Sequence, residues 1–224
     1  TAYEISTRDW SSDVCSSDLA VACLVVDLGL GVPLAYALVR SEKRLARFVE
    51  EVMVLPIAMP GLATALALIA TYGGISSFRM SPAFILVGHV LFTLPFMVRS
   101  VLAVLRVIDL KTLEEGAASL GAGFGRRFFD VVLPNARGGI LAGALMVVTL
   151  SMGEFNLTWL LHTPLTKTLP VGLADAYASL RLEIGSAYTF LFFVMIIPLL
   201  LALQIASRPK PTRHAAADAG KGTP

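Results

Sequence analysis

Charge is what this sequence has least of. Only 15% of its 224 residues are Asp, Glu, Lys or Arg, against about a quarter in an ordinary soluble domain. That polar complement is too small to coat a 23.9 kDa globule, so a soluble single domain is excluded. The formal net charge of +2 offers no basic surface of the kind nucleic acid requires, and no nucleic-acid partner is expected. Cysteine is equally scarce. Cys15 and Cys23 lie eight positions apart with no histidine beside either, which fits neither a metal site nor a disulfide framework. The phosphate-loop pattern G-x-x-x-x-G-K-[ST] is missing, so the chain does not hydrolyse ATP by that route. No catalytic residue, metal or bound cofactor is expected. What is plentiful is apolar: 56% of residues are hydrophobic and the mean hydropathy is +0.75. The chain is read as an integral membrane protein.

Crossing about 30 Å of hydrocarbon takes about 20 largely apolar helical residues. Five stretches reach that length, at roughly 19–39, 52–72, 83–105, 139–161 and 185–207. Alternation of period two is absent from them, which favours a helical bundle over a barrel. Lys and Arg set its direction. Thirteen of them follow the first, third and fifth stretches (among them Arg40, Arg44, Arg106, Lys111, Arg126 and Arg208), whereas only Arg8, Arg79, Lys167 and Arg181 fall in the opposite loops. The basic side is cytoplasmic, so the chain starts outside and ends inside, and a sixth, preceding span is expected in the native protein. Thr1–Asp18 is expected to be an external loop or non-native sequence, because the run from Arg8 to Leu19 resembles translated sequencing-adapter read-through. Residues 19–207 form the membrane domain. Residues 208–224, rich in Pro, Ala, Lys and Gly, are expected to be a disordered cytoplasmic tail.

The cytoplasmic loop at about 106–138 has a pattern of its own. Thr112-Leu113-Glu114-Glu115 fits a capping box, which predicts a short helix starting there. Gly121-Ala122-Gly123 should break it. A second amphipathic helix should carry Phe124, Phe128, Val131 and Val132 on one face and end at Pro134. Two short helices at an angle outside the bilayer are more than a connector needs, and they mark a docking surface.

These residues resemble the EAA loop of permease subunits of ABC importers, E-A-A, three residues, G, nine residues, I-x-L-P. Glu115, Ala117, Gly121, Leu133 and Pro134 match at those spacings, while Gly116 replaces an alanine and Val131 an isoleucine. The likeness runs from about Leu19 to Ala206. It implies an all-α polytopic bundle of the methionine-importer (MetI-like) type in the bacterial inner membrane. It implies that the loop docks on a cytoplasmic ATPase dimer, which holds the ATP and Mg, with Glu115 as the polar contact and Gly121 as the turn. A second permease subunit, homologous or identical, and a periplasmic solute-binding protein complete the complex. Within the likeness the chain looks closest to the spermidine/putrescine type, which implies a polyamine or a similar small solute.

Ionisable residues at membrane depth are costly and face the bundle interior or a wet cavity. Glu154, in Ser151-Met152-Gly153-Glu154-Phe155, is expected deep in an apolar helix. With Ser151 it is either a lining of the translocation path, suited to a cationic solute, or a structural hydrogen-bonding group. Asp27 is expected to face a missing neighbour, and His89 to be a packing or hydrogen-bonding residue. The run Thr166-Lys167-Thr168-Leu169-Pro170-Val171 resembles the family's external T-L-P-V turn, which implies a contact for the binding protein. The alternative to an importer subunit is a stand-alone secondary transporter or channel that uses Glu154 and Asp27 for ion coupling.

Overall fold

A computed structural model describes residues 15–41, 44–163 and 166–207. Thr1–Val14, Glu42, Lys43, Pro164, Leu165 and residues 208–224 lie outside the described residues, and with them the expectations for most of 1–18 and all of 208–224. Every regular element among the described residues is helical. Hydrocarbon offers backbone amides no partner, so an apolar segment satisfies them within its own helix.

In chain order the helices are α1 (Cys15–Arg40), α2 (Arg44–Val52), α3 (Leu55–Ala58), α4 (Gly61–Tyr72), α5 (Ser76–Arg79) and α6 (Pro82–Val107). Then follow α7 (Leu110–Ser119), α8 (Phe124–Gly153), α9 (Asn156–Leu161), α10 (Leu169–Ala178) and α11 (Leu182–Ser207). Four of them, α1, α6, α8 and α11, are long and apolar enough to cross a membrane. The all-α polytopic expectation holds.

Three of the expected spans are redrawn. The stretch 52–72 is not one helix: 44–58 and α4 meet at Pro60–Gly61 with a 105° bend, so it counts as a fifth span only as a broken pair. Pro56 and Pro60 are the physical reason, since each removes a donor and restricts the residue before it. The fourth span is not 139–161. Its helix ends at Gly153, and a separate short helix, α9, follows the break at Glu154–Phe155. The first span begins at Cys15, so residues expected to precede it, Ser16 to Asp18, form its first turn.

The core is a three-helix unit of α1, α6 and α8. Packing contacts place Gly31 of α1 against Met97 of α6, and Gly143 and Gly139 of α8 against Met97 and Val101. Alpha-1 and α6 thus run parallel, and α8 runs antiparallel to both. Apolar burial contributes little between helices already in lipid, so association depends on close van der Waals fit, which small residues permit. Gly139 and Gly143 form a G-x-x-x-G pair on the α6-facing side of α8, and Met97, with no exposed surface, fills the space between Gly143 and Gly31. By contrast α11 leaves Phe190, Phe193, Val194, Ile197 and Leu201 exposed.

Candidate functional site

Alpha-7, in the loop at 106–138, starts two residues before the predicted capping box. Asp109, not Thr112, is its N-cap: Thr112 N–H donates to Asp109 Oδ1 at 3.3 Å, and Thr112 Oγ1 donates to Asp109 Oδ2 at 2.6 Å. The capping-box reading is corrected accordingly. An acidic cap wins because its carboxylate satisfies two donors at once and complements the positive helix start. The Thr112 hydroxyl first, and its N–H second, hold the Asp109 carboxyl below the usual carboxylate range. A lowered value in the folded chain means the cap stabilises α7 above about pH 4, the ordinary aspartate range, and is lost as pH falls through the folded value. Amide protection at Thr112 and Leu113 is therefore expected to drop in acid, and Asp109→Ala should reproduce that loss at neutral pH. Hydrogen exchange corrected for intrinsic rates reads both.

The helix ends as the sequence predicts. Gly121 N–H donates to Ala118 O at 2.9 Å and Ala122 N–H to Ala117 O at 3.0 Å, the paired bonds of a Schellman turn. Gly121 sits at φ +82°, with nothing within 4 Å of where a β-carbon would stand. Its need for glycine is conformational, since a left-handed backbone is what side chains oppose.

The second loop helix differs from expectation. Phe124 opens the same continuous helix that becomes the α8 span, and Pro134 does not end it. Residues Arg127–Val132 form a π turn, after which Pro134 sits in the first turn of the α-helical part. The wider turn relieves the clash a proline ring makes with the preceding carbonyls. Asn135 Nδ2 donates to Val131 O at 2.7 Å beside it. Along this loop Glu115, Gly116 and Pro134 are exposed, and Ala117 and Leu133 are half-buried.

Glu114, beside the expected contact Glu115, is 5% exposed and turned inward. Its carboxylate accepts a hydrogen bond from Tyr36 Oη and lies 3.7 Å from Arg40 Nε, both at the C-terminal end of α1. Sequence spacing gave no sign of this pairing, as Tyr36 and Glu114 are 78 positions apart.

Within the bundle, two polar clusters lie close together. Thr93 Oγ1 is 2.6 Å from Asp27 Oδ2 and 3.1 Å from Cys23 Sγ. His89 bridges Ser151 Oγ (Nδ1, 3.0 Å) and Thr158 Oγ1 (Nε2, 2.9 Å). His89 is thus a hydrogen-bonding residue, as expected. Asp27 does not face outward to a missing neighbour: it has no exposed surface and points at α6. Glu154 does not sit mid-helix. It stands at the break after α8, half-buried, where its Oε1 accepts from Leu157 N–H at 2.8 Å and caps α9. The same oxygen would lie 2.8 Å from a β-carbon on Gly61, so the break in α8–α9 faces the bend between α3 and α4. Arg79 holds the other end of α9, donating to Leu161 O at 2.9 Å and Leu160 O at 3.1 Å. Of the turn expected to be external, Thr168, Leu169 and Val171 are buried, and Leu169 N–H donates to Ser16 Oγ, so little of it is open to a partner.

Residues 28–208 match the family model described as "Binding-protein-dependent transport system inner membrane component". The chain belongs to that family. The permease is 27% identical over 211 residues to the Molybdenum transport system permease protein ModB of Azotobacter vinelandii, covering 85% of this chain and 93% of the relative. It is 27% identical over 198 residues to its namesake in Escherichia coli (strain K12), covering 82% and 86%. It is 29% identical over 193 residues to Sulfate permease 2, chloroplastic, of Chlamydomonas reinhardtii, covering 80% and 52%. The importer-permease expectation stands. Its narrower spermidine/putrescine assignment finds no support here, since these relatives are named for molybdenum and sulfate.

Proposed function

We propose that this chain is the membrane-spanning subunit of an inner-membrane ABC importer whose cargo is a tetrahedral oxyanion of the molybdate and sulfate class. The observation that carries the reading is the family match across 28–208, joined to a loop of the right spacing that folds as helix, Schellman turn, helix. The relatives' names supply the cargo class. Molybdenum in neutral oxygenated water travels as molybdate, a divalent tetrahedral oxyanion like sulfate.

In this reading a periplasmic binding protein delivers the oxyanion to the outer side. Glu115, Gly116, Ala117, Gly121, Leu133 and Pro134 form the surface that an ATPase dimer grips, and that dimer holds the ATP and Mg. A second permease subunit, homologous or identical, completes the path, and the pair alternates between two states biased by ligands at both ends. The path runs beside Ser151 and Glu154, where two interrupted helices meet. Interrupted backbone at membrane depth is tolerated where it lines a cavity or is covered by protein.

Reconstitution in liposomes with the cognate ATPase and binding protein tests the reading. ATP-dependent uptake of labelled molybdate, competed by sulfate and not by spermidine, is the expected result. Uptake driven by an ion gradient without ATP would instead establish the stand-alone secondary transporter.

Glu154 makes a separate prediction. Its Oε1 role is that of a cap, which a neutral amide can also fill, so Glu154→Gln should transport nearly as well as the unmodified chain. Glu154→Ala removes the cap, worth about 1 kcal/mol, and should lower uptake severalfold with ATPase binding intact. Equal loss in both variants would show that the charge itself is needed.

A further inference from the structure

We propose that Glu114, Arg40 and Tyr36 form a tie that makes the inner end of α1 move with the coupling loop, Glu114 being a positioning residue distinct from its neighbour Glu115. The proposal rests on the importer reading above. Alpha-7 is a thin element to carry a mechanical signal: only Leu110 and Glu114, one helical turn apart, are buried along it. A carboxylate taken out of water needs a partner, and among the described residues the side-chain partners of Glu114 are both on α1. Tyr36 Oη donates to Glu114 Oε1, Arg40 Nη1 donates to Tyr36 Oη at 2.8 Å, and Arg40 Nε faces Glu114 Oε2 at 3.7 Å. The Arg40 guanidinium also stands 5.6 Å from the Tyr36 ring centre.

The same tyrosine touches the other arm of the loop. Its ring packs edge-on against Phe128 at 5.4 Å and tilted against Phe124 at 6.2 Å, both in the first turns of α8. One side chain at the end of α1 therefore engages the helices on both sides of the Gly121 turn. Glu115, by contrast, is exposed and makes no ion pair or hydrogen bond among the described residues. The two adjacent glutamates divide the work: Glu115 faces outward, where a partner can reach it, and Glu114 faces inward. A push on the loop reaches α1 through the Glu114 carboxylate, and α1 lies against α6 along its length, down to Thr93 and Asp27.

The test uses the complete importer in liposomes with molybdate as cargo. Glu114→Gln keeps the shape and loses the charge, and Tyr36→Phe keeps the ring and loses the hydroxyl. Both are expected to retain ATPase binding and hydrolysis, while molybdate imported per ATP falls about tenfold, within the usual range of a coupling between sites. The exchange Arg40→Glu with Glu114→Arg should restore most of that ratio, which a merely structural loss would not allow. A second readout is direct: spin labels at Ser41→Cys and Ser119→Cys, in a Cys15→Ser, Cys23→Ser background, should keep one separation with and without nucleotide, and lose that constancy in Glu114→Gln. An unchanged import ratio in both Glu114→Gln and Tyr36→Phe, or a label separation that already shifts with nucleotide in the otherwise unmodified chain, overturns the tie alone. Failure of the unmodified chain to hold an ATPase overturns the importer reading, and the tie with it.

Discussion

Gly139→Leu is expected to leave no stable bundle, whereas Gly138→Leu, one position away, is expected to fold normally. A β-carbon on Gly139 would stand 2.6 Å from Ser100 O and 2.9 Å from Val101 Cα, both backbone atoms of α6. Backbone cannot swing aside as a flexible side chain can, so the two helices would have to separate along the seam that also holds Gly143 against Met97. Inserted methylenes in a packed core cost about 1–3 kcal/mol where side chains can adjust; here the cost lies at or above the top of that range. Gly138 is exposed and has nothing within 4 Å of its would-be β-carbon. Purification in mild detergent, followed by size-exclusion chromatography and thermal melting, separates the cases. A Gly139→Leu chain that elutes as one peak and melts with the parent would show that the α6–α8 contact is looser than described.

Gly121→Val is expected to abolish transport while leaving insertion of the spans intact. Space is not the obstacle, as no atom lies within 4 Å of the site; the backbone at φ +82° is. Holding a residue other than glycine in that region costs of order 1–3 kcal/mol, most for β-branched side chains and least for asparagine. Loss should therefore grow from Gly121→Asn through Gly121→Ala to Gly121→Val. Gly123, at φ −68°, has no such constraint, and Gly123→Ala should be near neutral. ATPase co-purification and binding-protein-stimulated hydrolysis, measured beside the amount of permease in the membrane, read the series. Full stimulation in Gly121→Val would remove the loop from the coupling role.

The contrast between these two glycines shows how much of the fold was legible in advance. Gly121 was readable because a helix stop is local: a few residues with a glycine at the end specify it. Gly139 was not singled out, because its importance comes from α6 lying against it. The same division runs through the loop. Its helix stop was placed correctly, but its start was given to Thr112 when Asp109 holds it, because both residues are competent caps and only the formed geometry shows which accepts. Pro134 was read as an end by its ordinary local effect, and the π turn before it reversed that outcome. The type of cargo is not legible in the sequence, because nothing in the apolar spans encodes it.

By itself, then, the sequence determined the membrane class, the helical build and the Gly121 turn. Each follows from composition, run length or a few neighbouring residues, which act without knowledge of the rest of the chain. Only the tertiary structure decided which polar groups satisfy one another. Asp27 meets Thr93, His89 meets Ser151 and Thr158, and Glu114 meets Tyr36, each across more than sixty positions. In hydrocarbon a polar side chain takes whichever partner packing brings within reach, and that choice is fixed by how closely the helices approach, at Gly31, Gly139 and Gly143, rather than by the spacing of the polar residues themselves.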